Sequence, residues 1–433
     1  MKFILAILCL LCTFGLAPPV QSQTTKLPWS DPKTWGGTVP QAGAAVYIPA
    51  GKEVLLDVSP PPLKSLEIEG GLTFARKNLN LSADWIMVHG RLRVGAPGSP
   101  FKQRAVITLT GSNSGENIMG MGTKFIGVMG NGVLEMHSPP RVSWVRLNAT
   151  AVSGASQLTL ERSVDWKAGD RLVVASTDFN PLQSEQVEVQ AVSGSVVTLA
   201  QSLANLHWGQ MQTYDGKNLD ERAEVGLLTH NIIVQGDSTS TESGFGGHIM
   251  VMEQGQARLD GVELYRMGQK ASSGRYPLHM HLLGTAVNTY LKNSSIHHSY
   301  NRCVTLHGTN QVTVQSNVAY DAVGHCFFLE DGIETKNVFD RNLGLLTRKP
   351  ATYLIPSDEF PSTFWITNPD NTFTGNVAGG SEGFGFWYDL PEHPTGASAA
   401  AGTNVYPRTT AMGLFKDNAA HSNYADYRSA TGL

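Results

Sequence analysis

An asparagine-headed repeat constrains this chain more than any other feature. The units Asn293-Ser-Ser-Ile, Asn317-Val-Ala-Tyr, Asn342-Leu-Gly-Leu, Asn376-Val-Ala-Gly and Asn418-Ala-Ala-His begin at successive steps of 24, 25, 34 and 42 residues. Periods in this range without helical patterning mark the stacked coils of a parallel β-helix, in which each coil covers the core of the next. The two longer steps imply loops inserted into coils, and in solenoids such loops gather on the functional face. Asparagine suits a coil corner because it tolerates the left-handed backbone region and its amide can bond to the asparagine of the next coil. The ladder is therefore read as structural.

Cys303 and Cys326 follow their coil asparagines by 10 and 9 residues, so adjacent coils place one above the other. Neighbouring strands lie about 4.8 Å apart, within disulfide reach. At the N-terminus, Lys2 is followed by an apolar run from Phe3 to about Leu16 and then by small and polar residues as far as Ser22. That pattern predicts a secretory signal peptide over residues 1–22 and a secreted, extracellular protein. Its removal takes Cys9 and Cys12 away and leaves Cys303 and Cys326 as a disulfide in an oxidising compartment, with two buried free thiols as the alternative. Asn80, Asn148 and Asn293 head sequons for glycosylation. No later segment has the apolar length of a membrane span. A formal net charge of −4 without a basic tract excludes capture of nucleic acid through phosphate contacts.

From Trp29 to about Asn148 the chain reads as short apolar runs separated by turns, among them Ala45 to Ile48, Val54 to Val58, Leu63 to Ile68 and Ala105 to Leu109. This spacing predicts a β sandwich or a short β solenoid. A second β region follows, from about Ala151 to Gly236.

Chemistry concentrates after residue 270. His279 and His281 are two apart on a strand and so project from one face. Aligning coils on their cysteines makes His307 the counterpart of Glu330, and a histidine above a carboxylate can bind a divalent metal or share a proton. Arg275, Arg302, Asp321, His325, Asp331 and Glu334 lie close by in sequence. The candidate catalytic residues are His281, His307, Glu330, Asp331 and Glu334. The candidate metal ligands, for calcium or zinc, are His279, His281, His307 and His325. Arg275 and Arg302 are candidates to grip a uronate, since guanidinium pairs with carboxylate in a bidentate manner, and Trp365 and Trp387 to stack on sugar rings. Phe384, Phe386 and Tyr388 read as partly solenoid core. Paired carboxyls suit glycoside hydrolysis, and a base beside a cation suits elimination; the residues alone leave both open.

The paired tryptophans and glycines of Trp29-Ser30-Asp31-Pro32-Lys33-Thr34-Trp35-Gly36-Gly37 resemble the opening of the G8 module. Gly246-Gly247-His248, Arg275-Tyr276-Pro277-Leu278-His279-Met280-His281, Arg302-Cys303-Val304-Thr305-Leu306-His307-Gly308 and Gly324-His325-Cys326-Phe327-Phe328-Leu329-Glu330-Asp331-Gly332 resemble the β-helix of the cell-migration-inducing and transmembrane-protein-2-type hyaluronidases. The resemblance implies an all-β chain: an N-terminal G8-type β module over 23–150, a connecting β region over 151–245, and a right-handed parallel β-helix of the pectate-lyase-like kind over 246–433. It also implies endo-acting cleavage or binding of hyaluronan or another extracellular polysaccharide. Relative to that family the chain lacks a globular domain inserted after the G8 module and stops at Leu433, which points to a fragment or short form. An enzyme and a non-catalytic scaffold glycoprotein that binds carbohydrate or mineralised matrix are thus the two expectations.

Overall fold

The computed structural model describes residues 26–424; the expected signal peptide, with Cys9 and Cys12, and the final residues 425–433 lie outside them. Each coil contributes three strands in a fixed order, as in Thr313–Gln315, Val318–Val323 and Phe327–Leu329. Stacking of equivalent strands in parallel register generates three walls. The first is an 11-stranded sheet running from Leu27–Pro28 to Phe415–Lys416, and the other two merge into an 18-stranded sheet. Alternation along each strand sends Leu278, Met280, Val304, Leu306, Phe327 and Leu329 into the core and their neighbours outward. Phe327, Phe364 and Phe386 stack coil upon coil with ring centroids 4.7 and 4.6 Å apart, so Phe386 is core, while Phe384 and Tyr388 are only partly buried.

The asparagine ladder is present, one residue out of the expected phase at its start. Asn317 donates from its amide to Asn342 at 2.9 Å, Asn342 to Asn376 at 2.9 Å and Asn376 to Asn418 at 3.0 Å. Ser294, not Asn293, occupies the rung below, with its backbone N–H bonded to Asn317 Oδ1 at 3.0 Å. The first step is therefore 23 residues, which is also the separation of Cys303 and Cys326. The left-handed corner falls on the residue before each ladder asparagine: Asn293, Ser316, Arg341, Gly375 and Asp417 have positive φ. The ladder asparagines serve as hydrogen-bond bridges and the preceding residues make the turn. Asn342→Ala leaves the buried N–H of Asn317 without an acceptor and is expected to cost about 1–3 kcal/mol; an unchanged urea midpoint would show that the ladder contributes nothing.

The strands of the G8 segment pair directly with those of the later coils. Ala105–Leu109 pairs in parallel with Ile232–Gly236, and Phe125–Val128 with His248–Met252, so the strands before residue 138 are the first coils of the same solenoid. Between Ser138 and Asn231 the chain leaves the coil and forms a six-stranded antiparallel sheet. Its apolar face, including Val145, Leu172 and Val225, packs on the outward side of the second wall at Val318, Leu343 and Val377. The approach is close: a Cβ on Gly226 would lie 2.7 Å from Val318. Beneath this sheet Glu263, fully buried, pairs with Arg171 and accepts from His297 Nε2 at 3.2 Å and the His230 N–H at 3.0 Å.

Cys303 and Cys326 are joined with Cα atoms 4.6 Å apart, beside the paired strands Val304–Asn310 and Phe327–Leu329. Of the sequon asparagines, Asn80 and Asn148 are exposed. Asn293 donates from its amide to Asp260 at 2.8 Å, and the Ser295 hydroxyl of its sequon is buried and bonded to the Leu228 carbonyl, so the folded chain offers a glycan little access there.

Candidate active-site cleft on the third wall

The outward side of the third wall carries two columns of side chains. His281 pairs in register with His307, and the Glu330 N–H bonds to the Leu306 carbonyl, which continues that column to Glu330. Beside it run His279, Thr305, Phe328, Trp365 and Trp387. Four polar groups thus converge at the junction of three coils. His281 Nδ1 and His307 Nδ1 are 3.1 Å apart, and Glu330 Oε2 lies 3.6 Å from His307 Nδ1 and 3.8 Å from His279 Nε2.

Neighbouring groups fix the rings. His279 Nδ1 faces the Gly274 carbonyl at 3.0 Å, which only accepts, so the proton sits on Nδ1 and Nε2 presents a lone pair. His307 Nε2 faces Asp331 Oδ2 at 2.8 Å, which by the same reasoning leaves its Nδ1 as the lone-pair nitrogen. Asp331 is held in turn by the Ser398 N–H at 2.9 Å, from the segment inserted between Tyr388 and Phe415. That insertion makes the 42-residue step and borders the cleft, where the spacing of the repeats predicts a functional loop.

Burial lowers His281 to about 4, with His307 adding to the effect, and pushes His279 well below the ordinary imidazole value. Burial lowers His307 as well, but the Asp331 hydrogen bond and the Glu330 charge raise it further, for a net rise. Burial lifts Glu330 to about 7, against the opposing pull of His307.

The other predicted site residues stand elsewhere. Glu334 is fully buried and accepts the backbone N–H groups of Gly308, Asp331 and Gly332 at 2.7, 3.1 and 2.7 Å; it shapes the turn that carries Asp331 and does not face the cleft. His325 has both ring nitrogens engaged, with Ser362 Oγ at 3.0 Å and Ser357 Oγ at 3.1 Å, and does not join the other histidines. Arg302 is buried, ion-paired with Asp358 and laid over Phe328, so it is not free to grip a uronate. Arg275 is half-buried and donates to the Gly120 carbonyl at 2.6 Å. Trp365 is buried under His325, ring centroids 4.2 Å apart, and only Trp387 of the pair is partly exposed. Asp321 pairs with Arg348 at the end of the second wall. Tyr276, whose ring centroid is 5.0 Å from that of His279, was missed as a site residue, although its place two residues before the His279 strand is a signal. Ser398 carried none.

Fold and site together define a parallel β-helix protein with an imidazole–carboxylate cleft on one wall. Comparison with known proteins agrees: residues 244–427 match the family described as CEMIP beta-helix, and residues 34–148 match the G8 domain. The chain thus carries a G8 match and a CEMIP-type β-helix match in one polypeptide. It is 38% identical over 443 residues to fibrocystin-L of Mus musculus, an alignment covering 91% of this chain and 10% of that protein. It is 38% identical over 330 residues to the cell surface hyaluronidase CEMIP2 of Homo sapiens, covering 65% of this chain and 23% of that one. Communication mutant protein F of Dictyostelium discoideum is 31% identical, with 91% of this chain and 37% of its own length aligned. The chain thus spans well under half of these relatives. Among solved structures, the tailspike gp61 of Pseudomonas phage phi297 covers 70% of this chain and 49% of its own at 12% identity, with a TM-score of 0.21, too low to bear on function.

Proposed function

We propose that this protein acts outside the cell on a polysaccharide, hyaluronan first, and cuts it internally at the third-wall cleft. One observation carries the reading: His281, His307 and Glu330, drawn from three successive coils, form one outward column with His279 beside it. In the hydrolysis proposed, Glu330 delivers a proton to the glycosidic oxygen as the bond from the anomeric carbon breaks. Water adds to that carbon, and its proton passes to the imidazole–carboxylate set. Trp387, on the same wall, offers a ring face to a sugar. The apolar segment at Phe3 to Leu16, the Cys303–Cys326 pair and the cell-surface hyaluronidase among the relatives support the extracellular setting.

A second reading, carbohydrate binding without cleavage, is favoured by one observation: fibrocystin-L aligns with 91% of this chain and the cell surface hyaluronidase with 65%. Incubating the purified chain with high-mass hyaluronan, chondroitin and pectin, and sizing the products, separates the two. Progressive shortening of hyaluronan is the expected result. Retention of a polymer on the immobilised protein with no shortening, with zinc, with calcium and without either, would establish the second reading.

A further inference from the structure

We infer that His279, His281 and His307 form a binding site for one borderline divalent cation of the zinc class. The inference deepens the reading of the third-wall cleft and rests on that same cleft. The three residues bring ligand nitrogens within 4.8 Å of one another. Two buried polar atoms at this point have no hydrogen-bond partner, His279 Nε2 and Glu330 Oε2. They lie 3.8 Å apart, too far to hydrogen-bond, and both border the same point. An orphaned lone pair and an orphaned carboxylate oxygen, both out of water, are costly unless something positive joins them.

The spacing comes near that of such an ion, with the widest ligand pair, within 4.8 Å, having to close further as the ion binds. Bonds of about 2.0–2.1 Å to imidazole in a tetrahedral site put neighbouring ligand atoms roughly 3.3 Å apart. His281 Nδ1 and His307 Nδ1 are 3.1 Å apart, and Glu330 Oε2 is 3.6 Å from His307 Nδ1. The rings are also oriented as metal-bound histidines are, with the far nitrogen tied to an acceptor: His279 Nδ1 to the Gly274 carbonyl and His307 Nε2 to Asp331, itself anchored by the Ser398 N–H. Calcium is a poor fit, because it takes six to eight oxygen ligands at about 2.3–2.6 Å and this cluster is built mainly of imidazole. Three protein nitrogens leave a fourth position open, the pattern of a catalytic rather than a structural zinc site, and Glu330 borders it.

The test uses the full chain, stripped by chelator and titrated calorimetrically with zinc chloride and then calcium chloride, with elemental analysis after gel filtration and a cobalt(II) titration followed in the visible range. One zinc per chain is expected, with a tetrahedral cobalt spectrum and no calcium competing. Zinc binding should be lost in His279→Ala and His307→Ala and weakened about 10–100-fold in Asp331→Asn, which frees the His307 ring without removing a ligand. Should the alanine variants misfold by circular dichroism, Asp331→Asn and the cobalt spectrum of the unaltered chain still decide the matter. Zinc at well under one per chain, a featureless cobalt titration, or wild-type affinity in folded Asp331→Asn and His279→Ala would overturn the site. Stoichiometric zinc with no polymer shortened upholds the site and defeats the hydrolytic reading; polymer shortened by a protein that takes up no zinc in these titrations defeats the site and upholds the hydrolytic reading.

Discussion

Glu330→Gln is expected to slow polymer shortening by about 10²–10⁴-fold, the range contributed by a positioned acid or base, while leaving the fold and carbohydrate retention intact. The substitution keeps volume and removes only the exchangeable carboxyl proton. Glu330 is suited to such a test because its Oε2 accepts no hydrogen bond, so no backbone group loses a partner when the charge goes. Glu334 makes the opposite case. It holds three backbone N–H groups, and a loss of activity on its replacement would report a collapsed turn. Equal rates of chain shortening by the Glu330→Gln and unaltered proteins, compared by product sizing, would remove Glu330 from the reaction.

The second large effect concerns stability. Glu263→Gln is expected to destabilise the protein by about 3 kcal/mol, the lower end for breaking a buried ion pair, because Arg171 keeps 29% of its side chain in solvent. The new amide keeps one accepting oxygen and turns its N–H hydrogens either on Arg171 and His297 Nε2, which now bond one carboxylate oxygen, or on the His230 N–H, which bonds the other. Burial alone would raise Glu263, but the His297 hydrogen bond and the nearby His297 and Arg171 charges outweigh it, and the folded carboxyl lies below its ordinary value. Its stabilisation is therefore complete above the unfolded carboxylate value of about 4.3 and disappears as pH falls through the lower, folded one. Urea midpoints of the two proteins should differ at pH 7 and converge on acidification below about pH 4. A gap that persists unchanged at pH 3 would mean that the charge of Glu263 is not what the second wall depends on.

Much of the third wall was legible because strand alternation and coil register are written in residue spacing. The His279 and His281 pair, and the column from His307 to Glu330, follow from a two-residue and a 23-residue offset. The roles of Arg302 and His325 were not legible, since the groups that occupy them, Asp358, Ser357 and Ser362, arrive on or beside an insertion whose path no local pattern dictates. The asparagine phase was misread by one residue because Asn293 and Ser294 are adjacent, and composition alone does not say which one bridges and which one turns. The unity of the G8 segment with the later coils was hidden by the long excursion between Ser138 and Asn231, which separates strands that lie side by side in the sheet.

That unity has a practical outcome for anyone cutting the chain. The G8 match and the β-helix match meet edge to edge, at Phe125–Val128 against His248–Met252, so the two stretches share one continuous core. Expressing residues 244–427 by themselves would strip the neighbour from His248–Met252 and leave a raw row of peptide groups ready to recruit other molecules into aggregates. Genetic reshuffling that split the pair would meet the same obstacle, and the two segments are expected to travel through evolution as a single indivisible rod.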